Sequence, residues 1–198
     1  MMIVADIIGL VAFALSGVLI SLYKRLDIFG IFFIASLTAL GGGVIRDVLA
    51  GRVPFAFVHY YPILVVVVTV VTALMFKSHI REIDRKFLFV FFDSIGLCAF
   101  SVTGSLAGIE AGFNLFGVII LSIATAVGGG LVRDMLLNEV PFILKKEVYA
   151  SVALLTAVSV FVLDALGMLG SVTLSLLFAG MLFLRLAAYK MGYHLPRL

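Results

Sequence analysis

The chain has 198 residues, of which 64% are hydrophobic and 13% are charged, with a formal net charge of +3. Its mean hydropathy is +1.29, which is too apolar for a soluble domain of this length, because even a large domain leaves much of its surface in water. The composition excludes a soluble globular protein. It predicts an all-α membrane protein, for which lipid is the solvent.

Apolar segments follow one another along nearly the whole chain. A membrane-spanning helix needs about 20 apolar residues, and the sequence predicts seven such helices with short connections. We predict them at residues 3–23, 28–50, 57–76, 87–109, 115–137, 148–166 and 172–189. The first lacks a basic segment before it, so we interpret it as a retained span and not as a cleaved signal peptide. Residues 1–198 are therefore predicted to form a single transmembrane domain.

Basic residues are distributed unequally between the connections. With seven spans, alternate connections face opposite sides of the membrane. One side carries eleven basic residues, and the other carries Arg52 alone. The eleven are Lys24, Arg25, Lys77, Arg81, Arg85, Lys86, Lys145, Lys146, Arg185, Lys190 and Arg197. This bias predicts an N-terminus outside and a C-terminus in the cytoplasm. Because topology explains the positive charge, no nucleic-acid partner is predicted.

The two halves of the chain align without a gap when one is shifted by 87 residues. The sequence DIIGLVAF at 6–13 matches DSIGLCAF at 93–100, and TALGGGVIRDVL at 38–49 matches TAVGGGLVRDML at 125–136. This is a duplicated unit, with repeat one at about 3–80 and repeat two at about 87–167. Each unit holds three spans, so the second copy must enter the membrane from the opposite side. Such inverted repeats are typical of membrane transport proteins.

The seventh helix, at about 171–190, has no counterpart in the first repeat. We expect it to pack outside the core that the two repeats form.

A Gly-Gly-Gly-x-x-Arg-Asp motif occurs once in each repeat. The triplets are Gly41, Gly42 and Gly43 in the first and Gly128, Gly129 and Gly130 in the second. Each glycine in a helix costs about 1 kcal/mol relative to alanine. Two explanations remain open: close packing of helices, or a kink or local unwinding that exposes carbonyls to a cavity. Consecutive glycines favour the kink or unwinding, since close packing usually needs one glycine at every fourth position. A phosphate loop is excluded, because no Gly-Lys-Ser/Thr follows.

Two arginines, Arg46 and Arg133, lie within apolar spans, where a charge costs about 3 kcal/mol or more at the helix centre. Asp6 and Arg46 are equally far along the chain from the connection between their spans, and so are Asp93 and Arg133. The spacing predicts two ion pairs, Asp6–Arg46 near the outer face and Asp93–Arg133 near the inner face. They serve either to neutralise costly charges or to take part in gating or permeation.

The aspartates that follow the arginines, Asp47 and Asp134, are expected to have separate partners such as water in a vestibule. Adjacent residues of a helix point about 100° apart, so we predict that neither bonds the arginine beside it.

Hydroxyl residues also recur at matching positions. They are Ser16 and Thr103, and Thr38 and Thr125. Either they bond the preceding turn of their own helix, which is the commoner case, or they line the axis and help to replace the hydration of an ion.

Lys145, Lys146 and Glu147 open the sixth span. Their simplest role is interfacial, although basic residues there could also meet anionic lipid head groups. The three histidines, His59, His79 and His194, lie in or near loops, and no metal-ligand or catalytic spacing is present. Neither an enzyme nor a cofactor nor a permanently bound metal is predicted.

The doubled glycine motif, together with NEVPFILKKEVYA at 138–150, resembles the prokaryotic branch of the trimeric intracellular cation channels. The resemblance covers residues 3–163 and extends in span count to the seventh helix. It implies a homotrimer with one pore per subunit, lined by the first, second, fourth and fifth spans and kinked at the triplets. It also implies K⁺ and, to a lesser extent, Na⁺ as permeant ions, and the plasma membrane of a prokaryote as the location. Lys146, Glu147 and Val148 resemble a motif with which animal members engage a phosphoinositide, a role that we do not transfer.

A second function remains open at this point: a secondary transporter for a small solute such as glycine, an activity attributed to bacterial relatives of this family. Inverted repeats suit alternating access at least as well as a pore. A scaffold without permeation is a third alternative.

Overall fold

A computed structural model describes residues 2–76, 85–145 and 148–191 of the chain. Within these residues every regular element is a helix, which confirms the all-α prediction. The helices are α1 (Met2–Tyr23), α2 (Ile28–Leu49), α3 (Phe55–Val58), α4 (Tyr61–Met75), α5 (Arg85–Glu110), α6 (Leu115–Leu136), α7 (Phe142–Lys145), α8 (Val148–Ala165) and α9 (Ser171–Met191).

The longer helices coincide with the predicted spans. In the described part of the chain, α1, α2, α5, α6 and α9 are long and apolar enough to cross a membrane, whereas α4 and α8 are apolar but shorter. The predicted third span, 57–76, is divided into α3 and α4 at His59 and Tyr60. Prolines explain the division. Pro54 precedes α3 and Pro62 lies in the first turn of α4, where the missing N–H of proline is tolerated and a preceding helix ends.

The ends of the helices repeat as faithfully as the motifs do. Asp27 caps α2 and Asn114 caps α6, each accepting a hydrogen bond from the amide three residues further on. Such a side-chain oxygen satisfies an otherwise unpaired N–H of the first turn. After these helices, Gly51 and Asn138 both take left-handed backbone conformations, with φ of 70° and 52°. The two halves therefore begin and end their second helices in the same way.

The core is a group of four helices. The helices α1 and α5 pack against each other, α2 packs against α6, and each pair contacts the other. The shorter helix α4 lies against α1 and α2, and its counterpart α8 lies against α6 and α5. The last described helix, α9, which corresponds to the predicted seventh span, packs against α5 and α8. As expected, it lies outside the four-helix core.

Two phenylalanines occupy the centre of this core. Phe13 and Phe100 are separated by the repeat interval of 87 residues, and their rings meet edge to face with centroids 5.2 Å apart. Each ring lies over a glycine of the other half, because a Cβ on Gly96 would stand 2.6 Å from Phe13 and one on Gly9 would stand 2.2 Å from Phe100. Reciprocal contacts of this kind are the mark of a two-fold relation. Both side chains are buried, so the space between the halves is closed at its centre.

Candidate functional site

The first cluster consists of Asp6, Arg46 and Asp47. The Arg46 guanidinium donates from Nη1 to Asp6 Oδ1 and from Nε to Asp47 Oδ1, at 2.9 Å in each case. The second oxygen of Asp47 accepts the backbone N–H of Phe55 at 2.8 Å, at the start of α3. The Arg46 and Asp6 side chains are 5% and 11% exposed. The predicted Asp6–Arg46 ion pair is therefore confirmed.

The second cluster consists of Asp93, Arg133 and Asp134 and repeats the same geometry. Arg133 donates from Nη1 to Asp93 Oδ1 at 3.0 Å and from Nε to Asp134 Oδ1 at 2.8 Å. Asp134 Oδ2 accepts the backbone N–H of Phe142 at 2.8 Å, at the start of α7. The Arg133 and Asp93 side chains are both 0% exposed. The Asp93–Arg133 pair is also confirmed, in a more enclosed setting.

The prediction that Asp47 and Asp134 avoid their neighbouring arginines is wrong. The angle of about 100° between adjacent residues describes where their Cα–Cβ bonds point. It does not restrict the end of an arginine, whose long side chain folds back until Nε reaches the next carboxylate. Each of these aspartates thereby joins the arginine to the N-terminus of a short helix.

Ser16 and Thr103 connect the two halves. Thr103 Oγ1 lies 3.4 Å from Arg46 Nη1, and Ser16 Oγ lies 3.3 Å from Arg133 Nη1. Each hydroxyl also donates to a carbonyl of its own helix, at 3.5 Å and 3.0 Å respectively. The predicted bond to the preceding turn is thus present, and each arginine contacts a helix of the other repeat, whereas a role in replacing the hydration of an ion stays a prediction.

Thr38 and Thr125 behave differently, because each donates to the carbonyl four residues before it, at 2.6 Å. Their hydroxyls bond their own helices. This is the commoner of the two predicted arrangements.

The glycine triplets lie where α2 crosses α6. A Cβ on Gly42 would stand 2.1 Å from the Thr125 carbonyl oxygen, and one on Gly129 would stand 2.0 Å from that of Thr38. A Cβ on Gly41 would stand 3.3 Å from the Gly129 Cα. The two backbones therefore touch at a distance that only glycine permits.

The triplets are not unwound, because both α2 and α6 remain helical throughout. Close packing of the two helices is confirmed, and a kink at the triplets stays a prediction. Consecutive glycines serve close packing because the helices meet backbone to backbone over adjacent residues, not only along a ridge of every fourth residue.

The third glycines of the two triplets, Gly43 and Gly130, have different surroundings. A Cβ on Gly43 would meet nothing within 4 Å, and this glycine borders a cavity of about 30 Å³ together with Asp6, Arg46 and Tyr61. Such a space is sufficient for a water molecule, which needs about 10–15 Å³. A Cβ on Gly130 would instead stand 3.7 Å from the Tyr149 hydroxyl. The first cluster therefore borders a small space beside its third glycine, and the second cluster has no such space at the equivalent place.

A larger cavity of about 430 Å³ approaches the second cluster from one end of the bundle. Asp134 lines this cavity together with Lys86, Glu139 and Tyr189. An ion pair between Lys24 and Glu139 joins the end of α1 to the connection after α6.

The corresponding ion pair at the first repeat has its charges reversed. Arg52, in the connection after α2, contacts Glu110 at the end of α5, at 3.1 Å. The ends of the two halves are thus joined by ion pairs at equivalent places.

Two residues of this region were missed by the sequence reasoning. Arg185 was counted among the basic residues of one membrane face, but it lies inside α9 and is 2% exposed. Its guanidinium carbon is 5.1 Å from the ring centroid of Tyr149, a residue that is 1% exposed. Arg185 lies in an apolar segment, as Arg46 and Arg133 do, and this position is the sequence signal for a buried arginine, since its burial is equally costly.

The predicted interfacial contact of Lys145, Lys146 and Glu147 stays a prediction. Lys146 and Glu147 lie outside the described residues, as do His79, His194 and most of the connection at 77–86, and the side chain of Lys145 is likewise outside them.

Long apolar helices, a two-fold arrangement of like halves and buried ion pairs define a multi-pass α-helical membrane protein with the architecture of membrane transport proteins. Comparison with known proteins makes the assignment narrower. The sequence model of a family described as "Glycine transporter" matches residues 3–78 and 90–165. The UPF0126 membrane protein YvgT of Bacillus subtilis is 34% identical over 96% of this chain and 93% of its own.

Solved structures agree over almost the full length. A prokaryotic TRIC (trimeric intracellular cation) channel crystallised in 0.5 M KCl is 31% identical, with a TM-score of 0.88 over 98% of both chains. The TRIC orthologue from Rhodobacter sphaeroides is 34% identical, with a TM-score of 0.88 over 97% of this chain and 98% of that one. The chain therefore belongs to the family of UPF0126 membrane proteins and prokaryotic TRIC channels.

Proposed function

We propose that this protein is a passive channel for monovalent cations, K⁺ and to a lesser extent Na⁺, with one pore in each subunit of a homotrimer. The observation that carries the proposal is the likeness to a prokaryotic TRIC channel, at a TM-score of 0.88 over 98% of both chains. The pore would run between the two repeats, past both charge clusters.

The charges of the two clusters suit a cation pathway. Each cluster brings two carboxylates together with one guanidinium, so the three side chains of each cluster carry a net charge of −1. Negative charge at the ends of a narrow path raises the local concentration of cations and excludes anions. The residues proposed to line or gate the path are Asp6, Arg46, Asp47, Asp93, Arg133, Asp134, Ser16, Thr103, Thr38 and Thr125.

The described arrangement is a closed one. Phe13 and Phe100 fill the centre, and α2 touches α6 at the glycine crossing. Conduction would require these contacts to loosen. We propose that α1 and α5 separate around the two rings while the ion pairs keep each half intact.

The proposed location is the plasma membrane of a prokaryote, with the N-terminus outside and the C-terminus in the cytoplasm. The support for this orientation is the concentration of lysine and arginine on one side of the predicted spans. It would place the first cluster toward the outside and the second toward the cytoplasm.

The second candidate is a secondary transporter for a small solute such as glycine. It is favoured by the match of both halves to the family model described as "Glycine transporter". A closed centre between two unequal ends is also an arrangement that alternating access requires.

Recording from purified protein in a planar bilayer distinguishes the two candidates. The channel proposal expects discrete K⁺ current steps and a reversal potential in a KCl gradient that lies close to the K⁺ equilibrium potential. The matched measurement is uptake of labelled glycine by proteoliposomes of the same preparation, with protein-free liposomes as the control. Saturable glycine uptake that depends on an ion gradient, in the absence of current steps, would contradict the channel and support the transporter.

A further inference from the structure

The second cluster is closed on the side where the first cluster is open. The Arg133 and Asp93 side chains are both 0% exposed, against 5% and 11% for Arg46 and Asp6. Beside the first cluster lies a cavity of about 30 Å³, whereas the equivalent place beside the second has no room for a water molecule. The asymmetry needs a cause, because the clusters themselves have the same residues and the same bonds.

Tyr149 accounts for the missing space. It stands 87 residues after Pro62, which borders the cavity of the first cluster. Proline is too short to fill that cavity, whereas the Tyr149 hydroxyl reaches to 3.7 Å from the position of a Cβ on Gly130. The same Cβ would stand 3.5 Å from Arg133 Nη2. The tyrosine ring therefore occupies the place that stays empty in the first half.

Arg185 holds the other face of this tyrosine. Its guanidinium carbon lies 5.1 Å from the ring centroid of Tyr149 and 5.8 Å from that of Phe142, distances at which a cation is attracted to the face of an aromatic ring. Arg185 comes from α9, the helix without a counterpart in the first repeat. Arg185 therefore places an additional positive charge beside the second cluster.

Several polar atoms in this region have no hydrogen bond. Among the described residues, the buried side-chain nitrogens without a hydrogen-bond partner are Arg133 Nη2, Arg185 Nε and Arg185 Nη2. All of them belong to the second cluster and to Arg185 beside it. Buried polar atoms are normally satisfied, and leaving several unpaired in one place is costly. A second arrangement, in which Tyr149 moves aside and water reaches these atoms, would remove that cost.

We propose that Tyr149 is a movable cover over the second cluster and that Arg185 of α9 is the positioning residue that holds it closed. In the closed arrangement the ring excludes water and small cations from Asp93 and Arg133. When Arg185 withdraws, the ring is released and the second cluster becomes as accessible as the first. The seventh helix thereby controls access at one end of the path. This inference rests on the proposed function for its effect on current, but access itself is measurable without ion flow.

The test compares two cysteines at equivalent positions, Gly43→Cys and Gly130→Cys. The reagent is methanethiosulfonate ethylammonium, a small cationic thiol reagent applied to purified protein in detergent, and modification is followed by mass spectrometry of the separated peptides. In the parent protein we expect Gly43→Cys to react at least ten times faster than Gly130→Cys. Cys98, which is 0% exposed, stays in place as a reporter of general loosening.

Four further substitutions, each combined with Gly130→Cys, then distinguish a positioning role of Arg185 from a general effect on packing. Arg185→Met, which keeps the length without the charge, and Tyr149→Ala are each expected to raise the reaction rate at residue 130 about tenfold or more. Arg185→Lys retains a cation and is expected to stay near the parent rate. Pro62→Ala, the change at the position equivalent to Tyr149, is expected to leave the rate at residue 130 unchanged.

Two outcomes would overturn the inference. One is a rate at residue 130 that stays slow in both Arg185→Met and Tyr149→Ala while Gly43→Cys reacts. The other is an equal rise at Cys98, which would mean that the bundle has loosened as a whole. A parent protein that carries no cation current would remove the proposed channel function and leave the labelling result standing, so the two failures are distinguishable.

Discussion

Equivalent residues of the two clusters use the same atoms to bond equivalent partners. Each arginine uses Nη1 for the aspartate of the neighbouring helix and Nε for the aspartate that follows it. Each following aspartate uses its second oxygen for the amide that begins a short helix. A buried charge that is paired and hydrogen-bonded in this way is tolerable, whereas one that has lost its partner is not.

Removing Arg133 alone should therefore be more damaging than removing Arg133 and Asp93 together. We expect Arg133→Met to lower the free energy of unfolding by about 3–5 kcal/mol, because two carboxylates are left buried without their cation. The double variant Arg133→Met with Asp93→Asn should lose less, since one of those charges is gone. Unfolding of the detergent-solubilised protein by sodium dodecyl sulfate measures both.

The matched control is Arg46→Met. It should lower the free energy of unfolding by less than Arg133→Met does, because the first cluster borders a cavity that can hold water. A double variant at least as unstable as Arg133→Met would show that the pair does not behave as a buried ion pair.

The ion pairs of the two clusters could be predicted from the positions of individual residues in the sequence. The equal spacing of Asp6 and Arg46 from their connection placed them at one depth, and the structure brings them to 2.9 Å. The bonds of Asp47 could not be predicted from helix geometry, because they depend on how the long arginine side chain folds back. Arg185 could have been found from its apolar surroundings, but the packing of its guanidinium on Tyr149 is a tertiary contact that no spacing reveals.

Whole helices meet through their glycines. The sequence identified both triplets as costly to a helix, but the unwinding that it offered as one explanation does not occur. Unwinding and close packing both predict small residues at these positions. Only the contacts with the neighbouring helix distinguish the two explanations. Here that neighbour is the other triplet, whose backbone lies within contact distance. The length of the helices was more predictable, apart from the division of the third span at His59 and Tyr60, just before Pro62, which the hydrophobic run concealed.

Substitution by alanine should have opposite effects on stability at neighbouring positions of one triplet. In Gly42→Ala or Gly129→Ala, the new Cβ would stand about 2 Å from a backbone carbonyl oxygen, so α2 and α6 must move apart. Overpacking of this kind costs about 1–3 kcal/mol and occasionally more. Gly43→Ala meets nothing within 4 Å, and the gain in helix propensity should leave it as stable as the parent or up to about 1 kcal/mol more stable.

The measurement is again the free energy of unfolding in detergent. Equal stability of the Gly42→Ala and Gly43→Ala variants would contradict the close crossing of the two helices.

At the scale of the whole molecule, the two-fold relation organises nearly every feature described. The central phenylalanines, the hydroxyls that contact the opposite arginine and the glycine crossing all occur in reciprocal pairs. The duplication was evident from the sequence, so this symmetry could be predicted. The different surroundings of the two clusters could not, because they depend on the tertiary contact of Tyr149, which stands in the place of Pro62, with Arg185 of the unduplicated α9.

A homotrimer is the proposed assembly. Native mass spectrometry of the detergent-purified protein should give a mass three times the 21.3 kDa of the chain. Cross-linking in membranes before extraction provides the control for assembly that occurs only in detergent. A single-chain mass in both preparations would contradict the homotrimer.

The most direct test of the account asks whether cations pass the first cluster. Gly43→Cys, in a Cys98→Ala background, places one thiol in the cavity beside Asp6 and Arg46. Val53→Cys, at a side chain that is 71% exposed in the connection after α2, is the matched control. We predict that methanethiosulfonate ethylammonium reduces the unitary K⁺ current of Gly43→Cys several-fold and leaves the currents of Val53→Cys and the Cys98→Ala background unchanged. Complete modification of Gly43→Cys, verified by mass, with no change in its current would contradict a path through this cavity.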